Sequence, residues 1–273
     1  MSLADLAADS GAAPNELVAA ITAIAPGDHG ALRHVLPLTG HPVADVRAAA
    51  VSTLPLLVGA EPPAGVVDAI LALTSDADPN VRFWACWALD PEIFAGDAER
   101  LRESFAARLE DPIDDVRCEA LYWLAYLRDG RVLPLIKTAL ASRRPLPREV
   151  DAAGAYGDSA LYPLVYAHRG TAHPERLEAV RLARRLLSPD GVGDDLLDAL
   201  AASCRHRTGN GADPSDYGPW WQIVDELNSL AAYRAPEIAA GVDLRLAGDD
   251  QARALLRDKT NLGRLARKHG WPG

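Results

Sequence analysis

The pattern Asp45-Val46-Arg47-x-x-Ala50-x-x-x-Leu54 returns 35 residues later as Asn80-Val81-Arg82-x-x-Ala85-x-x-x-Leu89. After another 35 it returns as Asp115-Val116-Arg117-x-x-Ala120-x-x-x-Leu124. On a helix of 3.6 residues per turn, a valine, an alanine and a leucine spaced by four share one face. A unit of this length cannot bury such a face alone and must stack on its neighbours. The repeat therefore predicts an all-α fold, a right-handed α-solenoid of about five helical hairpins with irregular helical caps.

Counting from each valine as position 0, positions 0, 4, 8 and 11 form the apolar stripe. Val46, Ala50, Leu54 and Leu57 fill it in the first copy, and Val116, Ala120, Leu124 and Leu127 in the third. The alanine is small because two helices approach closely there. Pro42, Pro79 and Pro112 stand upstream, where proline ends one helix or starts the next. Between the signatures, residues 31–39, 65–74, 98–109 and 131–141 carry leucine or valine at helical spacing and predict the first helix of each hairpin. A fourth, degenerate copy runs Arg148-Glu149-Val150-Asp151-Ala152-Ala153-Gly154, and Pro174–Leu187 predicts a further second helix.

The expected domains are an N-terminal helical cap over 1–29, repeats over 30–190 and a C-terminal helical cap over 191–273. Residues 203–219 hold glycine and proline breakers without an apolar period and read as a long loop. Helices are expected over 220–233, 236–246, 249–258 and 261–269.

The net charge is −10. Duplex binders draw most of their affinity from neutralising phosphates, so nucleic acid is not the expected partner. No stretch reaches the roughly 20 apolar residues of a membrane span, and the first residues lack the pattern of a secretory signal. Three cysteines without close pairing predict free thiols in a reducing compartment. Together these predict a cytoplasmic location. There is no Cys-x-x-Cys, no His-x-x-x-His and no glycine-rich phosphate loop, so no metal and no cofactor are expected.

The signature Asp-Pro-x-x-Asp-Val-Arg-x-x-Ala-x-x-x-Leu, followed by Asp129-Gly130-x-x-x-Pro134-Leu135-Ile136, resembles the HEAT-repeat family, in particular the bacterial HEAT-like repeats named after phycobilisome lyases. The resemblance spans roughly residues 30–190. It implies that the second helix of each hairpin lines a concave side. It also implies that the aspartate before the valine and the arginine after it pair between neighbouring repeats, which would make Asp45, Arg47, Arg82, Asp115 and Arg117 structural. Asn80 and Asp151 break that pattern, and the ladder is expected to weaken there.

On such helices, positions 2, 6 and 10 point away from the stripe. They hold Phe83, Trp87, Tyr122, Tyr126 and Tyr156, five aromatics expected to converge on one concave strip. Trp84 and Trp123 are expected to wedge between helices. Asp90 and Glu119 would edge the strip with negative charge, and Arg148 stands in a basic cluster with Arg143 and Arg144. Tyrosine and tryptophan are common interface anchors. The expected function is a non-enzymatic interaction module that binds a protein or peptide, one carrying basic residues, through Phe83, Trp87, Asp90, Glu119, Tyr122, Tyr126, Arg148 and Tyr156. Two other readings rest on resemblance. One is a ligand-handling protein or lyase similar to the bilin lyases. The other is a DNA glycosylase similar to the HEAT-like group, for which Trp84, Trp87, Trp123 and Asp90 would serve and which the net charge disfavours.

Overall fold

The structure is a computed structural model, and it describes residues 3–8, 12–59, 62–208, 233–259 and 261–272. These residues form α-helices, short 3-10 turns and connections, with no strand among them. They group into two compact units, 1–127 and 128–273.

In the first unit, the helices are α1 (Leu3–Ala8), α2 (Pro14–Thr22), α3 (Leu32–Val35), α4 (Ala44–Leu57), α5 (Ala64–Leu73), α6 (Pro79–Ala88), α7 (Ala98–Ala106) and α8 (Asp114–Tyr126). The signature helices α4, α6 and α8 pack in succession, α4 also packs on α2, and α3, α5 and α7 each pack on the signature helix that follows them. The apolar stripe is as read from the sequence. Val46, Ala50, Leu54, Leu57, Val81, Ala85, Leu89, Val116, Ala120 and Leu124 are all fully buried. The predicted 31–39 helix is shorter than expected, because Pro37 tightens its second half into a 3-10 turn.

The arginines of the signature are structural, but their partners differ from the expected ones. Arg82 donates from Nε and Nη2 to the two carboxylate oxygens of Asp111, at 2.8 and 2.9 Å. From Nη1 it donates to the carbonyls of Asp76 and Ala77. Arg47 repeats this with Asp76, at 2.8 and 2.7 Å, and with the carbonyls of His41 and Pro42. Each guanidinium thus ties the turn before its own helix to the turn before the next signature helix. The acidic partner stands five residues before the valine, not one. Asp45 and Asp115 are exposed, and Asn80 interrupts nothing. Arg117 still holds its own turn through the Asp111 carbonyl, but its carboxylate partner is the local Asp114. In the fourth copy, the position five before the valine is Pro145, which offers no carboxylate.

The second unit contains α9 (Leu133–Ala141), α10 (Pro147–Tyr156), α11 (Tyr162–Ala167), α12 (Pro174–Leu187), α13 (Asp194–Thr208), α14 (Ala235–Arg245), α15 (Asp250–Lys259) and α16 (Asn261–Lys268). α10 packs closely on α12, and Gly154 takes the place of the signature alanine at the crossing. A Cβ there would stand 3.3 Å from the Ala183 backbone. Gly157 ends α10 in the left-handed conformation at φ 74°, with the Tyr233 ring where a side chain would lie.

The expected loop over 203–219 begins too early. α13 runs on to Thr208, because Leu196, Leu200, Ala201 and Cys204 continue one buried face past residue 203. The glycine and proline breakers start only at Gly209. Residues 209–219, and nearly all of the helix expected over 220–233, lie outside the described residues.

Two measurements follow from this packing. Ala85→Leu or Ala120→Leu overfills a helix crossing and should cost about 1–3 kcal/mol, read as a lower urea midpoint. An unchanged midpoint would mean the stripe is misassigned. The second concerns pH. The bond from Arg82 holds the Asp111 carboxyl below its ordinary range. A lowered folded value means the group stabilises the fold above its unfolded pKa of about 3.9. That contribution is lost as pH falls through the folded value. Asp111→Asn should therefore lose less stability than wild type on acidification from about pH 5 to about pH 2. Equal acid sensitivity would contradict the role given to Asp111.

Candidate interaction face

The expected aromatic strip divides into an open part and a closed part. On α6, Phe83 and Trp84 are half-buried, and Trp87 is 37% exposed. Their rings touch edge to face, with centroids 5.2 Å apart for Phe83–Trp84 and 5.5 Å for Trp84–Trp87. Trp84 therefore braces both neighbours and fixes the plane in which Trp87 stands.

On α8, the same positions turn inward. Tyr122 has no exposed surface and Trp123 only 6%; their rings lie edge to face at 4.9 Å. Cys118 to Ala125 are buried without interruption, so this stretch of α8 is enclosed and its position 6 is core. The expectation that Tyr122 stands on an open face is therefore corrected. Glu119, expected at a rim, is 4% exposed and lies inside as well. Trp123 Nε1 is buried with no acceptor among the described residues.

Tyr126 is half-buried, and its hydroxyl donates to Glu92 Oε1 at 2.6 Å. Burial first, and then the Glu92 carboxylate, push the phenol above its ordinary value, so it remains the donor across the physiological range. The bond joins the end of α8 to the turn after α6. Asp90 organises that turn, accepting from the Glu92 N–H through its side chain and from the Ile93 and Phe94 N–H groups through its carbonyl. Asp90 and Tyr126 thus shape the edge beside α6.

Arg148 and Tyr156 are half-buried on α10, in the second unit. Arg143 and Arg144 are exposed, and the neighbouring Pro145 carbonyl accepts from Arg176 Nε at 2.6 Å. Arg205, His206 and Arg207, read as loop residues, form the last turn of α13, where cations complement the helix dipole.

Charge is unevenly divided. Residues 1–127 hold 19 acidic and 7 basic residues, a net of −12, and residues 128–273 hold 19 and 21, a net of +2. The whole negative excess belongs to the unit that carries Trp87. Cys86, Cys118 and Cys204 are buried and in no disulfide. Burial pushes Cys86 up to about 12 and Cys204 up to about 11. A cavity of about 740 Å³ in the second unit is lined by none of the eight expected residues. Its arginines stand on α12. Among the described residues no helix is long and apolar enough to cross a membrane.

No family model matches the chain. Over 96 residues it is 31% identical to the protein YibA of Escherichia coli K12, and equally to YibA of Escherichia coli O157:H7. The match covers 35% of this chain and 34% of the relative, so it spans about a third of those curated relatives. The X-ray structure of Escherichia coli YibA is similar with a TM-score of 0.52 at 21% identity, over 68% of this chain and 67% of that one. At that identity the likeness shows the fold alone.

One consequence is local to Tyr126. Tyr126→Phe removes the donor to Glu92 and should cost about 1–3 kcal/mol in urea unfolding, the usual range for a partner lost from a shielded polar group. No change would mean that the edge beside α6 does not depend on this bond.

Proposed function

We propose that this chain is a non-enzymatic interaction module of HEAT-like solenoid type that holds a protein or peptide segment with basic residues against α6. One observation carries the reading. Trp87 presents a large exposed ring, braced by Trp84 and Phe83, on a unit whose net charge is −12. An aromatic anchor held in place before binding loses little conformational freedom. A surrounding negative field draws in cations and speeds encounter. Phe83, Trp87 and the Asp90–Tyr126 edge form the reading's contact set, and Tyr122 and Glu119 support it from within. The succession of signature helices in the first unit and the fold likeness to YibA support the solenoid form. A cytoplasmic setting suits three buried free thiols.

The experiment is recovery of partners from native lysate with wild type and Trp87→Ala. Partners should be basic segments, and the variant should bind them at least about tenfold more weakly, because a desolvated aromatic anchor contributes about 2 kcal/mol or more. Its melting is measured beside its binding, because the ring is 37% exposed and also packs on Trp84. Equal recovery by both proteins would sink the proposal. Duplex DNA at physiological salt should show no micromolar binding; tight binding with a steep salt slope would favour the glycosylase reading instead.

A further inference from the structure

The cavity in the second unit lies along α12, the 188–193 connection and the first turns of α13, with Tyr162 of α11 in its wall. Leu182, Leu196 and Ala199 give it an apolar stretch. Three arginines of α12 line it, and they differ in what the protein asks of them.

Arg185 is committed, because its two terminal nitrogens meet the Asp195 carboxylate at 3.0 and 2.6 Å and brace the connection to α13. Arg181 pairs with Glu178 at 3.5 Å, both groups being exposed, and such a pair contributes little. Arg184 makes no hydrogen bond and no ion pair among the described residues, yet it is held. Its guanidinium lies 4.8 Å from the Tyr166 ring centroid, and its Nε is shielded from solvent without an acceptor. Arg169 lies over the same ring at 4.3 Å, also without an ion-paired carboxylate. Two guanidinium charges thus gather on one tyrosine, neither ion-paired with a carboxylate among the described residues. Cation–π contact holds such a group in place but leaves its planar donor fork unused, and that fork matches carboxylate and phosphate. Asp190 is the one cavity carboxylate without an ion pair among the described residues. It is exposed, so solvent and salt screen its opposition to an anion.

We propose that this cavity is a binding site for a small organic oxyanion, a carboxylate or phosphate monoester with a flat or apolar body. Arg184 receives the oxyanion, and Tyr162, Leu182 and Ala199 cover the body. The site shares no residue with the Trp87 face, and either can fail without the other.

Titration calorimetry with benzoate, phenyl phosphate and inorganic phosphate tests it. At least one organic probe should bind wild type saturably in the millimolar range, and more tightly than inorganic phosphate. Arg184→Gln should weaken that binding roughly tenfold or more. Ala199→Trp fills the cavity without changing charge and should abolish it. Trp87→Ala should bind as wild type does. Circular dichroism and melting confirm that each variant folds; if Arg184→Gln does not, Ala199→Trp decides. No saturable binding of either organic probe would overturn the proposal. So would equal or tighter binding of inorganic phosphate, or unchanged affinity in a folded Arg184→Gln and in Ala199→Trp.

Discussion

The Arg82 guanidinium holds two successive turns at once, and the first unit is arranged around that double grip. Its fork closes on Asp111, in the turn before α8, while Nη1 closes on the carbonyls of the turn before α6. Arg82 is 9% exposed and Asp111 5%. A lone charge at such depth would be heavily penalised, so each partner requires the other. Burial alone would not register one hairpin on the next, because an apolar stripe of valine, alanine and leucine tolerates sliding. A bidentate ion pair with two further backbone links does not. The Ile113 N–H donating to Asp111 and the Asp78 N–H donating to Asp76 lock the acceptor ends in the same way.

With the hairpins registered, the remaining faces of the signature helices are assigned by what surrounds them. α6 leaves Trp87 at the surface. The 118–125 stretch of α8 is enclosed, and the equivalent Tyr122 becomes one of the largest fully buried side chains. Equal positions in a repeat therefore have equal angles but unequal environments. The exposed ring and the acidic excess fall on the same unit. The unpaired arginine beside a cavity falls on the other unit, where charges nearly balance.

What the sequence revealed and what it hid divide along the same line. Helical class and the buried stripe were readable, because apolar spacing reports the side of a helix that must leave water. The role of Arg47 and Arg82 was readable in kind but not in partner. The pairing joins position 1 of one copy to a residue 29 further on, and only folded turns bring those together. Tyr122 and Glu119 were misplaced because angle around a helix says nothing about what covers it. The extent of α13 was hidden by the nearby glycine-rich segment, although Cys204 keeps the apolar spacing of Leu196 and Leu200. Arg184 escaped notice because its isolation is a three-dimensional fact: nothing in its neighbours along the chain shows that no carboxylate reaches it.

The turn-to-turn linkage is tested most directly by a double-mutant cycle on Arg82 and Asp111 in urea unfolding. Arg82→Ala and Asp111→Ala each strand a buried charge, whereas the double variant strands none. The double variant should lose much less than the sum of the singles, with a coupling of about 1–3 kcal/mol. Losses that add to within about 0.5 kcal/mol would contradict it, and would leave the apolar stripe as the main source of order between successive hairpins.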